Sequence, residues 1–299
     1  MSAVFVPPEL HTESPPPPPP PPPHKTHRFR AISLISLAVI GLTIAATPAA
    51  ATTPTSGTGG PFTDRTNVSY TATNGLTSQY HIYAAGLSQT SALCVVFHFH
   101  GDGAYEFKHP NDSYLLGGPN GVIAKSRAHG CLTIPVMTPD RRNGTTWWVN
   151  GKANAAYFRD LLGYIERSYK IDDNRIWLSG YSGGSEFITE SYLPLYPSTI
   201  HGGGSVVFGG GGRPSSAQPF GTLPSKFHMQ WNTNKGDTGF DDDGFNAYKA
   251  AQQGEAYYKS KGFATSHVYP NEQGHDYNGT FGGVVGQQLD LYDKALVTL

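Results

Sequence analysis

The pentapeptide Gly180-Tyr181-Ser182-Gly183-Gly184 follows directly on the strand-like run Arg175–Ser179 (RIWLS) and precedes a helix-compatible stretch carrying Phe187 and Ile188. G-x-S-x-G between a strand and a helix puts a serine on a tight turn with its hydroxyl lifted above the sheet. Glycines on either side remove the Cβ atoms such a turn would bring into collision. The following helix N-terminus lies beside any negative charge that develops there. A serine hydroxyl is a weak nucleophile unless a base takes its proton and donors hold the resulting oxyanion. Of the twelve histidines, His275 alone follows the final predicted strand, Thr265–Tyr269, which makes it the expected base. An acid to orient it is expected after the strand Phe227–Trp231, and Asp237 stands there. Asp241, Asp242 and Asp243 are alternatives for that role, and they equally suit capping of the next helix. The apolar run ending at Phe99 opens into His100-Gly101-Asp102-Gly103. The backbone N–H groups of Asp102 and Gly183 are the expected oxyanion donors, with no catalytic part for the Asp102 carboxylate.

Other residues admit two readings each. Trp147 and Trp148 follow the strand Cys131–Met137, where they either offer aromatic planes to a substrate or form a core pair. Tyr181, next to the serine, either walls the pocket or simply packs. His98 and His100 share one face of a strand, a spacing compatible with a metal-dependent hydrolase, but position 103 is Gly where a further ligand would be needed. No metal and no cofactor is expected. Cys94 and Cys131 are the two cysteines, and they are either bridged or buried as free thiols.

The elements that must position these groups are readable in outline. Two alternating segments, around Asn67–Ala72 and Gln79–Ala84, flank the turn signal Asn74-Gly75. From Ala92–Phe99 onward the rhythm becomes continuous apolar runs, as in strands buried on both faces. Short runs at Cys131–Met137, Arg175–Ser179, Ser205–Phe208, Phe227–Trp231 and Thr265–Tyr269 alternate with helical patterns. Those patterns lie at Gly121–His129, at residues 153–169 with Phe158, Leu161, Leu162, Ile165 and Tyr169 on one stripe, at Phe245–Lys261, and in a closing helix with Val285, Leu289, Tyr292 and Leu296. Strand and helix in alternation predict an α/β fold with a largely parallel sheet covered on both sides.

The chain begins with material of another kind. Pro15 to Pro23 is an unbroken proline run that can only be extended. Lys25, Arg28 and Arg30 then precede an apolar stretch from Ala31 to Ala46 and the small residues Ala49-Ala50-Ala51. This is the layout of a secretory signal peptide, an uncleaved membrane anchor being the alternative. Residues 1–51 are therefore expected as leader, 52–65 as a flexible linker and 66–299 as one catalytic domain. With 14% charged residues and a net charge of −1, nothing draws the chain to nucleic acid. No membrane contact after cleavage and a monomeric state are expected.

The turn at His100-Gly101, the Gly180–Gly184 elbow and the segment Gly274-His275-Asp276-Tyr277 resemble the α/β-hydrolase superfamily over residues 66–299. The order Ser182, Asp237, His275 matches that superfamily. More narrowly, the chain is similar to secreted polyhydroxyalkanoate depolymerases and feruloyl or acetylxylan esterases. It departs from them in having Asp102 rather than a cysteine after the HG turn, and no D-x-x-V-P-like acid loop. The resemblance implies a cofactor-free serine esterase acting through an acyl-enzyme. No long insertion between the central strands suggests a lid domain, so an open site suited to bulky or polymeric esters is expected. A peptidase or lipase on the same fold, or a catalytically inactive binding module, are the alternatives.

Overall fold

Eight strands form one mixed sheet: β1 (Arg65–Thr71), β2 (Thr77–Ile82), β3 (Leu93–Phe99), β4 (Cys131–Val136), β5 (Ile171–Tyr181), β6 (Gly203–Phe208), β7 (Phe227–Asn232) and β8 (Ala264–Val268). Their spatial order is β1-β2-β4-β3-β5-β6-β7-β8. The computed structural model describes residues 55, 57, 59–142, 144–239, 244–277 and 279–297. These fall within one compact unit, residues 49–299. The leader expected over residues 1–51 lies outside the described residues, as do Asp241, Asp242 and Asp243.

Pairing is parallel from β4 through β8 and antiparallel for β1 with β2 and β2 with β4. The predicted hairpin therefore forms, with Gly75 at φ 80 in its turn. It adds an antiparallel edge to the largely parallel sheet expected from the sequence. Every residue of β3 is buried, as a strand in the middle of a covered sheet requires.

Among the described residues seven α-helices complete the fold: α1 (Tyr105–Lys108), α2 (Val122–Ala128), α3 (Gly151–Ser168), α4 (Gly183–Glu186), α5 (Leu193–Leu195), α6 (Ala247–Ser260) and α7 (Phe281–Val297). A π-helical turn, Phe187–Tyr192, joins α4 to α5. On α3 the apolar stripe Phe158, Leu161, Leu162 and Ile165 is buried, joining Phe97, Phe99, Phe187 and Tyr192 in the larger core. On the other face Val285 and Leu289 of α7 pack with Val96, Trp177, Val206 and Phe208. The side chain of Leu296, expected on the same stripe, is outside the description.

Cys94 and Cys131 occupy partnered positions at the starting ends of β3 and β4, and they form a disulfide with Cα atoms 4.3 Å apart. The bridged reading is the observed one. The expected flexible linker needs a correction at its described residues. Thr55 hydroxyl donates to Tyr169 O at 3.0 Å and accepts from Ile171 N–H at 2.9 Å, and Gly59 N–H donates to Ser168 O. Tyr169 OH in turn donates to Pro61 O. Such backbone and hydroxyl bonds hold a polar segment that composition alone reads as free.

The chain winds from β3 to β4 on one side and to β5 on the other, so connections diverge in opposite directions at β3. In open α/β sheets the crevice beyond the carboxyl ends of the strands at such a switch point is the usual place for a ligand site. Here the two strands that end there are β3, with Phe99 opposite Gly180, and β5, with Tyr181 opposite Phe208 of β6.

Candidate active site

Ser182 rises from the end of β5 with φ 50 and ψ −119, a backbone conformation that non-glycine residues adopt only under constraint. Steric contacts supply the constraint. A Cβ on Gly184 would lie 2.0 Å from Phe99 O, and one on Gly180 would lie 2.7 Å from Gly184 C. Only glycine lets α4 begin this close to β3. Ser182 N–H donates to Phe208 O at 2.9 Å, and the buried Ser185 hydroxyl donates to Gly180 O and Phe208 O. The elbow is thus bolted to the end of β6.

Asp237 and His275 meet across two loops. His275 Nδ1 lies 2.7 Å from Asp237 Oδ2. An ionised carboxylate only accepts, so Nδ1 carries the proton and Nε2 is left with its lone pair. Tyr277 OH donates to the same Oδ2 at 2.8 Å, and Asp237 is only 1% exposed. Asn234 staples the loops together: its Nδ2 donates to Gly274 O and Asp276 O, and its N–H donates to Tyr277 OH. Gly236 has no room for a side chain, since a Cβ there would stand 2.1 Å from Glu272 O. Burial, reinforced by the Asp237 charge, pushes the Tyr277 hydroxyl well above its ordinary range, so it remains a donor.

Contacts on both sides bring His275 to the serine elbow. The Tyr181 ring stacks on the His275 ring with centroids 5.1 Å apart, and Tyr181 OH donates to His275 O at 2.6 Å. A Cβ on Gly209, one residue past the Phe208 carbonyl that holds Ser182, would lie 2.9 Å from His275 Cε1. Tyr181 therefore supports the histidine from below, and it also lines a cavity with Asp102 and Tyr114.

The turn His100–Ala104 arches over Gly183. Asp102 Oδ1 stands 2.2 Å from where a Gly183 Cβ would be. The Asp102 carboxylate accepts from Trp148 Nε1–H at 2.8 Å. The Asp102 carboxylate, expected to have no catalytic part, shapes the pocket rim. The two tryptophans separate. Trp148 is 55% exposed and lines the cavity holding Ser182. Trp147 is fully buried, with ring centroids 5.2 Å from Phe99 and 4.5 Å from Phe187, which corrects its expected role in substrate binding. Neighbouring residues of an irregular loop point opposite ways, and no periodicity in the sequence announces which one faces in.

His98 and His100 are committed elsewhere. His100 Nε2 accepts from Thr138 N–H at 3.1 Å, so its Nδ1–H donates to Gly101 O at 2.7 Å. His98 Nδ1 pairs with Ser179 Oγ. Burial pushes His98 down to about 3 and His100 down to about 4, so both are neutral. With both ring nitrogens of His100 engaged, the pair does not present the two free ligand atoms that the metal-dependent alternative requires. Among the described residues no group of three or more His, Cys, Asp or Glu is arranged to hold a metal ion.

Two carboxyls not singled out in the sequence belong to the site. Glu186, on α4, accepts from Gly211 N–H at 2.7 Å and Gly212 N–H at 3.1 Å. Burial, with the Glu190 carboxyl beside it, raises its pKa well above the usual range. Glu106, on α1, accepts from Gly101 N–H at 3.3 Å, and burial pushes it up to about 7. The cavity at Ser182 has a volume of about 560 Å³ and is lined also by Asp102, Trp148, Glu186, Glu190 and Phe245. A second, of about 500 Å³, adjoins it across Asp102.

Comparison with solved structures shows the architecture: the chain has the α/β-hydrolase fold. It is similar to a feruloyl esterase module from Clostridium thermocellum solved with sinapinate, at 14% identity and a TM-score of 0.53 over 80% of this chain and 91% of that one. A Bacillus cereus carboxylesterase gives 14% identity and a TM-score of 0.53 over 73% and 94%. The poly(aspartic acid) hydrolase-1 of Sphingomonas sp. KT-1 gives 13% and 0.53 over 79% and 99%. The chain spans 61% of the length of a thermostable esterase to which it is also similar. No family model matches the chain, and no curated protein matches it in sequence.

Proposed function

We propose that the protein is a serine hydrolase that cleaves carboxylic esters through Ser182, His275 and Asp237. The observation that carries this reading is the convergence at the end of β6. Phe208 O fixes the strained Ser182 elbow, and Gly209 seats the ring of His275, whose Nδ1 is bound to the buried Asp237.

In this reading His275 Nε2 takes the Ser182 hydroxyl proton as Oγ attacks the ester carbonyl. Asp237 holds the tautomer and stabilises the imidazolium, and the backbone N–H groups of Asp102 and Gly183 receive the oxyanion. Collapse of the tetrahedral intermediate expels the alcohol, which takes the proton from His275. Water then repeats the sequence on the acyl-enzyme, releasing the acid and restoring Ser182.

Two adjoining cavities and an exposed Trp148 favour a bulky or extended ester over a small one. Asp102 and Glu190 line the cavity beside the protonated Glu186, so a polyanionic chain would meet like charge there. A neutral ester polymer or an esterified neutral polysaccharide fits better. The disulfide suits an oxidising compartment, in keeping with export by the N-terminal leader.

A fluorophosphonate probe followed by peptide mapping tests the reading. Labelling at Ser182, loss of labelling in Ser182→Ala, and a fall in ester hydrolysis of about 10⁴-fold or more are expected. Activity of Ser182→Ala within tenfold of wild type would overturn the assignment. An unlabelled, inactive wild-type protein would favour a binding module instead.

A further inference from the structure

We propose that Glu106 is a positioning residue that holds the oxyanion turn in its working shape through the Gly101 N–H. The inference rests on the reading of Ser182 as nucleophile and of the Asp102 N–H as an oxyanion donor.

Acyl transfer by the three residues above has no use for a carboxyl on α1, yet Glu106 is only 3% exposed. Burying a carboxyl is costly unless its oxygens are engaged. Its Oε2 accepts the N–H of the His100–Gly101 peptide at 3.3 Å. The next peptide, Gly101–Asp102, is held by its carbonyl, which accepts from His100 Nδ1–H at 2.7 Å and Ala104 N–H at 3.0 Å. In a trans peptide the carbonyl and N–H point in opposite directions, so fixing Gly101 O also fixes where the Asp102 N–H points. Two successive peptides are thus clamped, one by an imidazole and one by a carboxyl. The turn needs this support because Ala104 sits at φ 59, a left-handed conformation that is costly for a residue with a Cβ. An oxyanion donor acts by being aimed before the charge arrives.

The clamp has a pH dependence of its own. Burial raises Glu106 to about 7, Asp102 adds to the rise, and His275 opposes it. The same cavity is lined by Tyr105, Asp112, Tyr114 and Tyr181. Lys108, one helical turn from the loop, donates to Gly103 O at 2.7 Å, and His109 Nδ1 lies 3.0 Å from Tyr105 O. His100 is held neutral by burial. An ionised carboxylate is the stronger acceptor, roughly twice a neutral one. The clamp is therefore at full strength above about 7 and weakens as pH falls through that value. Protonation of Glu106 then contributes to a fall in activity on the acid side.

Steady-state hydrolysis of a p-nitrophenyl ester across acid and alkaline pH tests this with Glu106→Gln and Glu106→Leu, alongside fluorophosphonate labelling and thermal melting. Leucine removes the acceptor, so kcat should fall about tenfold or more with KM little changed. Glutamine keeps an uncharged acceptor, so most of the rate at low pH should remain, and one ionisation should vanish from the acid limb of the kcat profile. A kcat within about twofold of wild type for a folded Glu106→Leu would overturn the proposal. So would a Glu106→Gln profile that superimposes on wild type, which decides the matter alone if the leucine variant does not fold. Failure of the probe to label wild-type Ser182 would instead remove the reading beneath it.

Discussion

The two ends of the parallel strands are built on different rules. At the starting end Cys94 and Cys131 are joined across adjacent strands, fully buried, and surrounded by apolar side chains such as Val96, Trp177 and Leu289. At the finishing end the backbone is forced. Three of the four non-glycine residues at positive φ among the described residues, Ala104, Thr145 and Ser182, lie there, and Gly209, Gly210 and Gly211 follow β6 at φ 60, 146 and 94. Buried carboxyls collect there too, in Glu106, Glu186 and Asp237. One end gathers stability, and the other spends conformational comfort on holding polar atoms in place.

The sharpest way to break that comparison is to disturb the finishing end without unfolding it. Asp237→Asn should reduce kcat by about 10³–10⁴-fold, because His275 loses the partner that fixes its tautomer. Circular dichroism should show the fold intact. A loss under tenfold would point to Asp241, Asp242 or Asp243 as the orienting acid.

A tryptophan pair sharpens the contrast within one loop. Trp147→Ala should destabilise the chain by about 3–5 kcal/mol in urea unfolding, as loss of a fully buried indole does. Trp148→Ala should leave stability nearly unchanged and raise KM a few-fold on bulky esters. Equal destabilisation by both would erase the distinction.

At the starting end, Cys94→Ser with Cys131→Ser should cost about 3–4 kcal/mol for a bridge of sequence separation 37, with kcat preserved in the protein that stays folded. A fall in kcat at unchanged fold would show that the two ends are coupled.

The smallest effect expected concerns substrate charge. A carboxylate-terminated ester should show kcat/KM about tenfold below its neutral analogue at low salt, with the gap closing as salt is added. Equal rates would mean that Asp102 and Glu190 do not face the bound acyl group.

What the sequence disclosed followed from how local each device is. The Gly180–Gly184 elbow, strand β3 and the α3 stripe are written in consecutive or regularly spaced residues, and they formed as read. The disulfide stayed open because only strand register decides it, and register is a property of two distant segments. Glu106, Glu186, Asn234 and Tyr277 were missed as functional residues because each works through a contact made across the fold. The one available hint was spacing: Tyr277 stands two residues after His275, and in extended backbone such residues share a side. The role of Trp147 failed for a related reason, since an irregular loop carries no period from which to read an inward face.

Gly209 has a consequence for tolerance. The carbonyl just before it anchors the serine turn, and its own bare Cα seats the imidazole. Both parts of the site are therefore measured from a single bench mark on β6. The many loop bonds between residues 234 and 277 need only carry the imidazole to that mark; they do not have to set its distance from the serine. Errors accumulated along those loops are cancelled at the last step, which leaves the loop surface free to vary in composition while the working geometry stays in calibration.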